Sequence, residues 1–484
     1  MRTVETVGAE ADLTRLSLVE ASAALAAGTA SSTALTEAYL ARIFAIDPAV
    51  NAYVTVTADR ARRDARRADA ELRAGHRRGP LHGLPIGIKD LFDTAGIPTT
   101  AGSALRRGHV PATDSAVAAR LRRAGAVLLG KHATHEFAWG GTTNNPHYGP
   151  TRNPYALGRI PGGSSGGSAA AVVARTALAS VGTDTCGSVR IPAALSGCVG
   201  LKPTYGWTDL TGTVPLAPSL DHAGPIARTP GDAALLYQVL AGNPGPDRPP
   251  AASPPADLRT GLRAGLRVGL RVGLLRGWFA KVIDPETAAA VDITAQRLAE
   301  RGCVVVELDA PDVGPVVDRV FDIVRAEAGP YHREDFRRSP EAYGADLRAV
   351  LSLPPPTATE LAAGRRLLDR LTGWLTGALD RADRRGPAVD VLLSATTPAP
   401  APLIGEHRVG VGGQVLHIEW MLTRLTSIFN VAGLPALSVP VGVSRAGLPL
   451  GAQVIGRPWA ETTVLSVGQA AHQLIPEPAF TPAV

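Results

Sequence analysis

Residues Gly162–Ser168 read G-G-S-S-G-G-S and residues Gly182–Ser188 read G-T-D-T-C-G-S, joined by a short apolar stretch. Two backbone-permissive turns, each ending in serine, can bring hydroxyls and bare N–H groups to one point. Glycine lets backbone donors approach a reacting atom closely and adopt positive φ. Serine supplies a nucleophile or a proton relay. Taken alone, the stretch reads either as chemistry or as a flexible linker, and the residues around it must decide.

Upstream, Leu84–Ile88 reads as a short buried strand that delivers Lys89 at its C-terminal end. Ser115–Ala124 carries helical spacing and Ala126–Leu129 that of a strand. Nearer the N-terminus, Leu16–Ala27, Ser32–Ile46 and Ala58–Ala74 read as helices, with Ser31 or Ser32 as an N-cap. This alternation through residue 204 predicts an α/β core. After Pro230 helices dominate until Val389–Ser394 and Ala436–Pro440 return as strands. The loosest points are Gly242–Thr260, rich in Pro and Ala, and Leu353–Thr357, with three consecutive prolines. Beside the first lies a tandem repeat, G-L-R-A-G-L-R-V-G-L-R-V-G over Gly261–Gly273. We read it as an expansion leading into a strand at Leu270–Leu275, in preference to a basic binding strip.

Composition bounds the function classes. The chain has 484 residues, 45% apolar and 19% charged, an ordinary globular mixture. Its net charge of +6 is dispersed, with no basic face interleaved with aromatics, which argues against direct nucleic-acid binding. Three cysteines, Cys186, Cys198 and Cys303, cannot frame a chain this long with disulfides and favour a reducing compartment. The N-terminal Met1–Leu13 shows no apolar core of a signal peptide. The most apolar helical candidate, Ser168–Val181, contains Arg175 and is too short to span a bilayer. A cytoplasmic protein without a membrane partner is expected. Of 49 basic residues only Lys89, Lys131, Lys202 and Lys281 are lysines. A lysine in an apolar, glycine-rich context is therefore a candidate for chemistry that a permanently charged arginine cannot perform.

Other motifs fall short. Gly162–Gly166 fits the G-x-S-x-G nucleophile elbow, which would make Ser164 the nucleophile, but no hydrophobic strand precedes it. No G-K-[ST] follows the glycines, so there is no phosphate-binding loop. His132, His135 and Glu136 form H-A-T-H-E, which lacks the spacing of a zinc protease, and no metal is expected. The second turn is more demanding. Pro192 opens an apparent helix at Ile191–Leu195, which sets the N–H groups of Thr185, Cys186, Gly187 and Ser188 near a helix start, where a developing oxyanion is stabilised. A tight turn between strand and helix is the competing reading, and these residues alone leave both open.

A wider set of motifs then carries a resemblance. L-P-I-G-I-K-D (Leu84–Asp90), P-G-G-S-S-G-G-S (Pro161–Ser168), G-T-D-T-C-G-S-V-R-I-P (Gly182–Pro192) and G-L-K-P-T-Y-G (Gly200–Gly206) resemble the amidase signature family. So do the runs at Asp93–Ser103, Glu136–Pro146, Ser219–Thr229, Gly433–Pro440 and Gly447–Gly456, in the family's order and over nearly the whole chain. The resemblance implies one large domain over residues 1–484, with a central mixed, twisted sheet covered by helices on both faces. Its signature core would lie at about 80–230, a more variable helical part at about 243–385, and strands and a helix over 386–484 would return to the core.

The resemblance also implies a Ser–cis-Ser–Lys triad, with Ser188 as nucleophile, Ser164 as the bridging serine with a cis peptide bond, and Lys89 as general base. Asp184 and Arg190 would shape the nucleophile's turn by polar contacts. A desolvated lysine fits the base role, because burial favours its neutral form. Lys131 and Lys202 are read as structural, Ser165 and Ser168 as supporting the loop, and Cys198 and Cys303 as buried apolar residues. A surface pair of Lys89 with Asp90 is the bland alternative. One departure stands out: the family often has glycine where this chain has Cys186, so that side chain is expected to shape the acyl pocket. The implied function is cofactor-independent hydrolysis of a small-molecule carboxamide to acid plus ammonia or amine, and a homodimer is compatible with it. Its rivals are the ammonia-generating amidase subunit of a glutamine-dependent tRNA amidotransferase, an acyl transferase, and a catalytically silent binding protein.

Overall fold

The computed structural model describes residues 12–241, 258, 262, 265–380 and 388–473. The Pro/Ala-rich break at Gly242–Thr260 and the first part of the adjoining repeat lie, isolated positions apart, outside the described residues. The three prolines of Leu353–Thr357 separate two helices, Ala345–Leu351 and Ala358–Leu379.

Serine and threonine caps set the helix starts. Ser17 and Glu20 form a capping box at Leu18–Ala27, and Ser31 accepts from Ala34 N–H at the head of Ser32–Val50. Ser115 does the same for Ala116–Arg123 through Ala118 N–H. Between the helices runs an 11-stranded mixed sheet. Its spatial order is Tyr53–Val56, Val127–His132, Pro85–Lys89, Ala179–Asp184, His222–Ala227, Val199–Lys202, Ala436–Val443, Pro449–Gly456, Val391–Ala395, Arg271–Gly277 and Val304–Ala310. Every residue of Pro85–Lys89, Ala179–Asp184, Val199–Lys202 and His222–Ala227 is buried, the pattern of strands covered on both faces. The expected α/β architecture, with a mixed sheet flanked by helices, is the one found.

Register places the site. Pro85–Lys89 and Ala179–Asp184 run parallel with Gly87 opposite Ser180 and Ile88 opposite Val181. Both strands therefore end at the same edge of the sheet, and Lys89 emerges beside Thr183 just before the second glycine–serine turn.

Two expectations are corrected. The apolar run Ser168–Val181 is not one helix: helix Gly166–Val173 ends, Arg175 turns the chain at φ 57°, and Ala179 begins a strand. The apolar stretches on either side of Arg175 are too short for periodicity to separate helix from buried strand. Val304–Ala310, within the part read as helical, is a strand pairing in parallel with Arg271–Gly277 at the sheet's edge. Its exposed Glu307 and Asp309 alternate with Leu308 and Ala310, but the three valines before them show no alternation. No helix among the described residues is long and apolar enough to cross a membrane.

Glycine in the serine loop serves close packing. A Cβ on Gly167 would lie 2.5 Å from both the backbone N and O of Ala133, leaving no room for a methyl group. Gly167→Ala should therefore destabilise the fold by about 1–3 kcal/mol through overpacking, read as a lower midpoint in thermal unfolding.

Candidate active site

Lys89 is completely buried at the end of its strand. Its Nζ donates to Ser164 Oγ at 2.7 Å and to Thr183 Oγ1 at 2.7 Å, and among the described residues no carboxylate forms an ion pair with it. Burial pushes its pKa down to about 7, against the opposing pull of Asp184 and Asp221. The alternative partner, Asp90, is taken by Lys131 at 3.2 Å, and Lys131 also donates to Phe92 C=O and Thr99 Oγ1. Lys202 donates to Pro203 C=O and to His222 Nε2. Three buried lysines thus have three different settings, and only Lys89 meets a serine.

The first glycine–serine turn is pinned around Ser164. The Gly163–Ser164 peptide bond is cis. Ser164 C=O accepts from His135 N–H at 3.2 Å and from Thr143 Oγ1 at 3.4 Å, while Gly166 N–H donates to Thr143 Oγ1 at 3.1 Å. Ser165 joins the two turns: its N–H donates to Ser188 C=O at 3.2 Å and its Oγ to Thr183 C=O at 3.1 Å. Ser168 does not play the expected supporting part, because its buried Oγ has no partner. His132 and His135 bind Ser180 Oγ and Thr142 Oγ1 through Nδ1, and burial holds both neutral.

The second turn is wrapped around one carboxylate. Asp184 accepts from the N–H groups of Gly187 (2.9 Å), Val189 (3.1 Å) and Arg190 (3.3 Å), from Arg190 Nε and Nη2 (3.1 and 3.0 Å), and from Asn430 Nδ2 (2.8 Å). Burial alone would raise its pKa, but the Arg190 guanidinium and Asn430 hold the carboxyl well below the usual range. Arg190, fully buried, also reaches Gln453 Oε1, Asn430 Oδ1 and Thr426 C=O. The helix begins at Arg190, two residues before Pro192, so Ser188 directly precedes its first turn. Gly187, at φ 124°, packs against Thr426, where a Cβ would lie 2.3 Å from Oγ1.

Gly187 N–H is therefore committed to Asp184. Those of Thr185, Cys186 and Ser188 carry no hydrogen bond among the described residues. Ser188 Oγ likewise makes none, and the residue is 8% exposed. Lys89 and Ser164 are brought into contact, whereas Ser188 joins them through its backbone bond to Ser165. Burial, reinforced by Asp184 and Asp221, keeps the Cys186 thiol protonated. Cys198 and Cys303 are free and buried.

Sequence reasoning left several site residues without a role: Thr183, Asp221, Thr426, Asn430 and Gln453. Thr426 Oγ1 donates to Cys186 C=O at 2.6 Å, and Thr185 Oγ1 donates to Asp221 Oδ1 at 2.6 Å. Thr183 could have been found as the residue that a parallel strand sets beside Lys89. Beside these groups lies a cavity of about 190 Å³, lined by Thr183, Thr185 and Asp221 together with aliphatic side chains such as Leu91, Val214 and Leu216. Cys186 is not among its described lining residues.

Comparison with known proteins follows the same lines. The amidase family profile matches residues 34–465. A glutamyl-tRNA(Gln) amidotransferase subunit from Anaeromyxobacter dehalogenans (strain 2CP-C) is 39% identical over 97% of this chain and 98% of its own length. An amidase of Pseudomonas putida is 40% identical over 95% and 96%. The peptide amidase of Stenotrophomonas maltophilia superposes with a TM-score of 0.80 at 30% identity, covering 95% of this chain and 97% of that one. The chain belongs to the amidase family, a class of amide hydrolases.

Removing Arg190 would leave Asp184 buried and unpaired. Arg190→Ala should lower stability by about 3–5 kcal/mol, and chemical denaturation should show it as a lower midpoint.

Proposed function

We propose that this protein hydrolyses a small carboxamide to a carboxylic acid and ammonia or an amine through an acyl-enzyme on Ser188. Lys89 is the general base and Ser164 the proton relay. The observation that carries this reading is a buried lysine, without a carboxylate ion pair among the described residues, with Nζ 2.7 Å from Ser164 Oγ. Neutral Lys89 takes the Ser164 proton while Ser164 takes that of Ser188, and Ser188 Oγ bonds to the carbonyl carbon. The oxyanion faces the N–H groups of Thr185, Cys186 and Ser188, with Gly187 N–H holding the turn through Asp184. The C–N bond then breaks as Lys89 returns the proton through Ser164 to the leaving nitrogen. Water repeats the sequence and releases the acid.

Asp184 and Arg190 serve this chemistry by holding the turn. A cytoplasmic location accords with three buried free thiols. A second reading, an amidotransferase component that generates ammonia from glutamine, is favoured by the relative that bears that name. It requires partner subunits, and glutamine hydrolysis that appears only with them would favour it.

A fluorophosphonate probe should label Ser188, and Ser188→Ala should abolish labelling and lower kcat by at least about a thousandfold. If Ser164→Ala removed the label while Ser188→Ala left it, Ser164 would be the nucleophile instead. Since the base acts in its neutral form, kcat/KM should rise with pH through about 7 and level off above it. Lys89→Ala should remove that limb from the pH–rate profile, and an unchanged profile would dismiss Lys89 as the base.

A further inference from the structure

The cavity beside the triad has a chemical character of its own. Two of its lining residues belong to the site: Thr183, bonded to Lys89, and Thr185, three residues before the nucleophile. Leu91, Leu210, Val214 and Leu216 give it an aliphatic wall. Among the described residues its single charged lining residue is Asp221, and that carboxylate is already engaged by Thr185 Oγ1 at 2.6 Å and by the N–H groups of Leu216 and Ala217 at 3.0 and 3.1 Å. Next to the lining residue Pro218, Glu327 is committed to Ser219, accepting from its N–H and Oγ at 2.9 and 2.5 Å. Among the described residues no lysine or arginine lines the cavity.

A zwitterion such as free glutamine would lose the hydration of an ammonium and a carboxylate here and find no counter-charge for the carboxylate and no uncommitted one for the ammonium. An apolar group, by contrast, gains by leaving water. Size sets the second limit. An apolar cavity of roughly 150 Å³ accommodates benzene, so about 190 Å³ admits a phenyl ring or a branched alkyl group of similar bulk.

We propose that the substrate is an uncharged carboxamide bearing an apolar group of about benzene size, which fills the cavity walled by Leu91, Leu210, Val214 and Leu216. The proposal rests on the acyl-enzyme reading above. The group sits either on the acyl carbon or on the leaving nitrogen, and substrates that differ in this respect tell which.

The test measures kcat/KM of the full-length protein for phenylacetamide, acetanilide, acetamide and glutamine, alongside fluorophosphonate labelling of Ser188. One of the two aromatic amides should exceed both acetamide and glutamine by at least about tenfold. Phenylacetamide in front places the ring on the acyl side, and acetanilide in front places it on the amine side. Val214→Phe, which fills the cavity, should cut that advantage over acetamide about tenfold. Leu210→Ala, which enlarges it, should move the preference towards a bulkier ring such as naphthyl. Preference for glutamine, no turnover of either aromatic amide, or an unchanged ratio in both variants, with Ser188 still labelled, overturns the proposal and leaves the acyl-enzyme reading standing. Loss of labelling in the unaltered protein overturns both.

Discussion

The carboxylate of Asp184 is the point around which the second glycine–serine turn closes. It gathers three backbone N–H groups from the turn itself, two nitrogens of Arg190 and the amide of Asn430. Burying an ion pair is expensive, and attraction between the two charges repays it only when the remaining donors and acceptors are also satisfied. Here they are satisfied by residues far along the chain: Asn430 lies 240 residues from Arg190 and Gln453 lies 263 away. The turn is therefore held in part by side chains of the C-terminal half.

The buried lysines show how partner choice decides role. Lys131 and Lys89 sit on adjacent parallel strands, and both feel burial that favours the neutral amine. Lys131 has Asp90 at 3.2 Å, so its charge has a local reason to remain. Lys89 has only hydroxyls in its place, with Asp184 spoken for by Arg190. The same side chain is paired with a carboxylate on one strand and with two hydroxyls on the next.

Much of this was legible before the structure. Lys89 stood out because lysine is scarce in this chain and its neighbours are apolar, and the two serine turns stood out because glycine and serine cluster there for few other reasons. The α/β alternation in the first half was readable for a similar cause: its strands are short apolar runs between capped helices. What stayed hidden depended on distance or on ambiguity. Thr426, Asn430 and Gln453 are ordinary polar residues whose importance lies in what meets them across more than two hundred positions. Val304–Ala310 is an edge strand that opens on three consecutive valines, so polar and apolar residues alternate only over Glu307–Ala310, too short a stretch to mark a strand. Ser168–Val181 is largely apolar on both sides of Arg175, and neither short apolar stretch carries a period that tells helix from buried strand. Ser168 remains unexplained, since nothing in the structure accounts for its unpartnered hydroxyl.

The distribution of lysines has an outcome outside catalysis. Lys89, Lys131 and Lys202 are completely enclosed, and Lys281 alone of the four is exposed. The abundant surface cations are guanidinium groups, which do not react with the usual acylating reagents at neutral pH because they stay protonated. Amine-directed coupling to the folded protein, whether a dye, a cross-linker or a solid support, is thus confined among side chains to one address, well away in sequence from the serines and from Lys89. Burial that withholds three lysines from solvent leaves the fourth as the only side-chain amine handle outside.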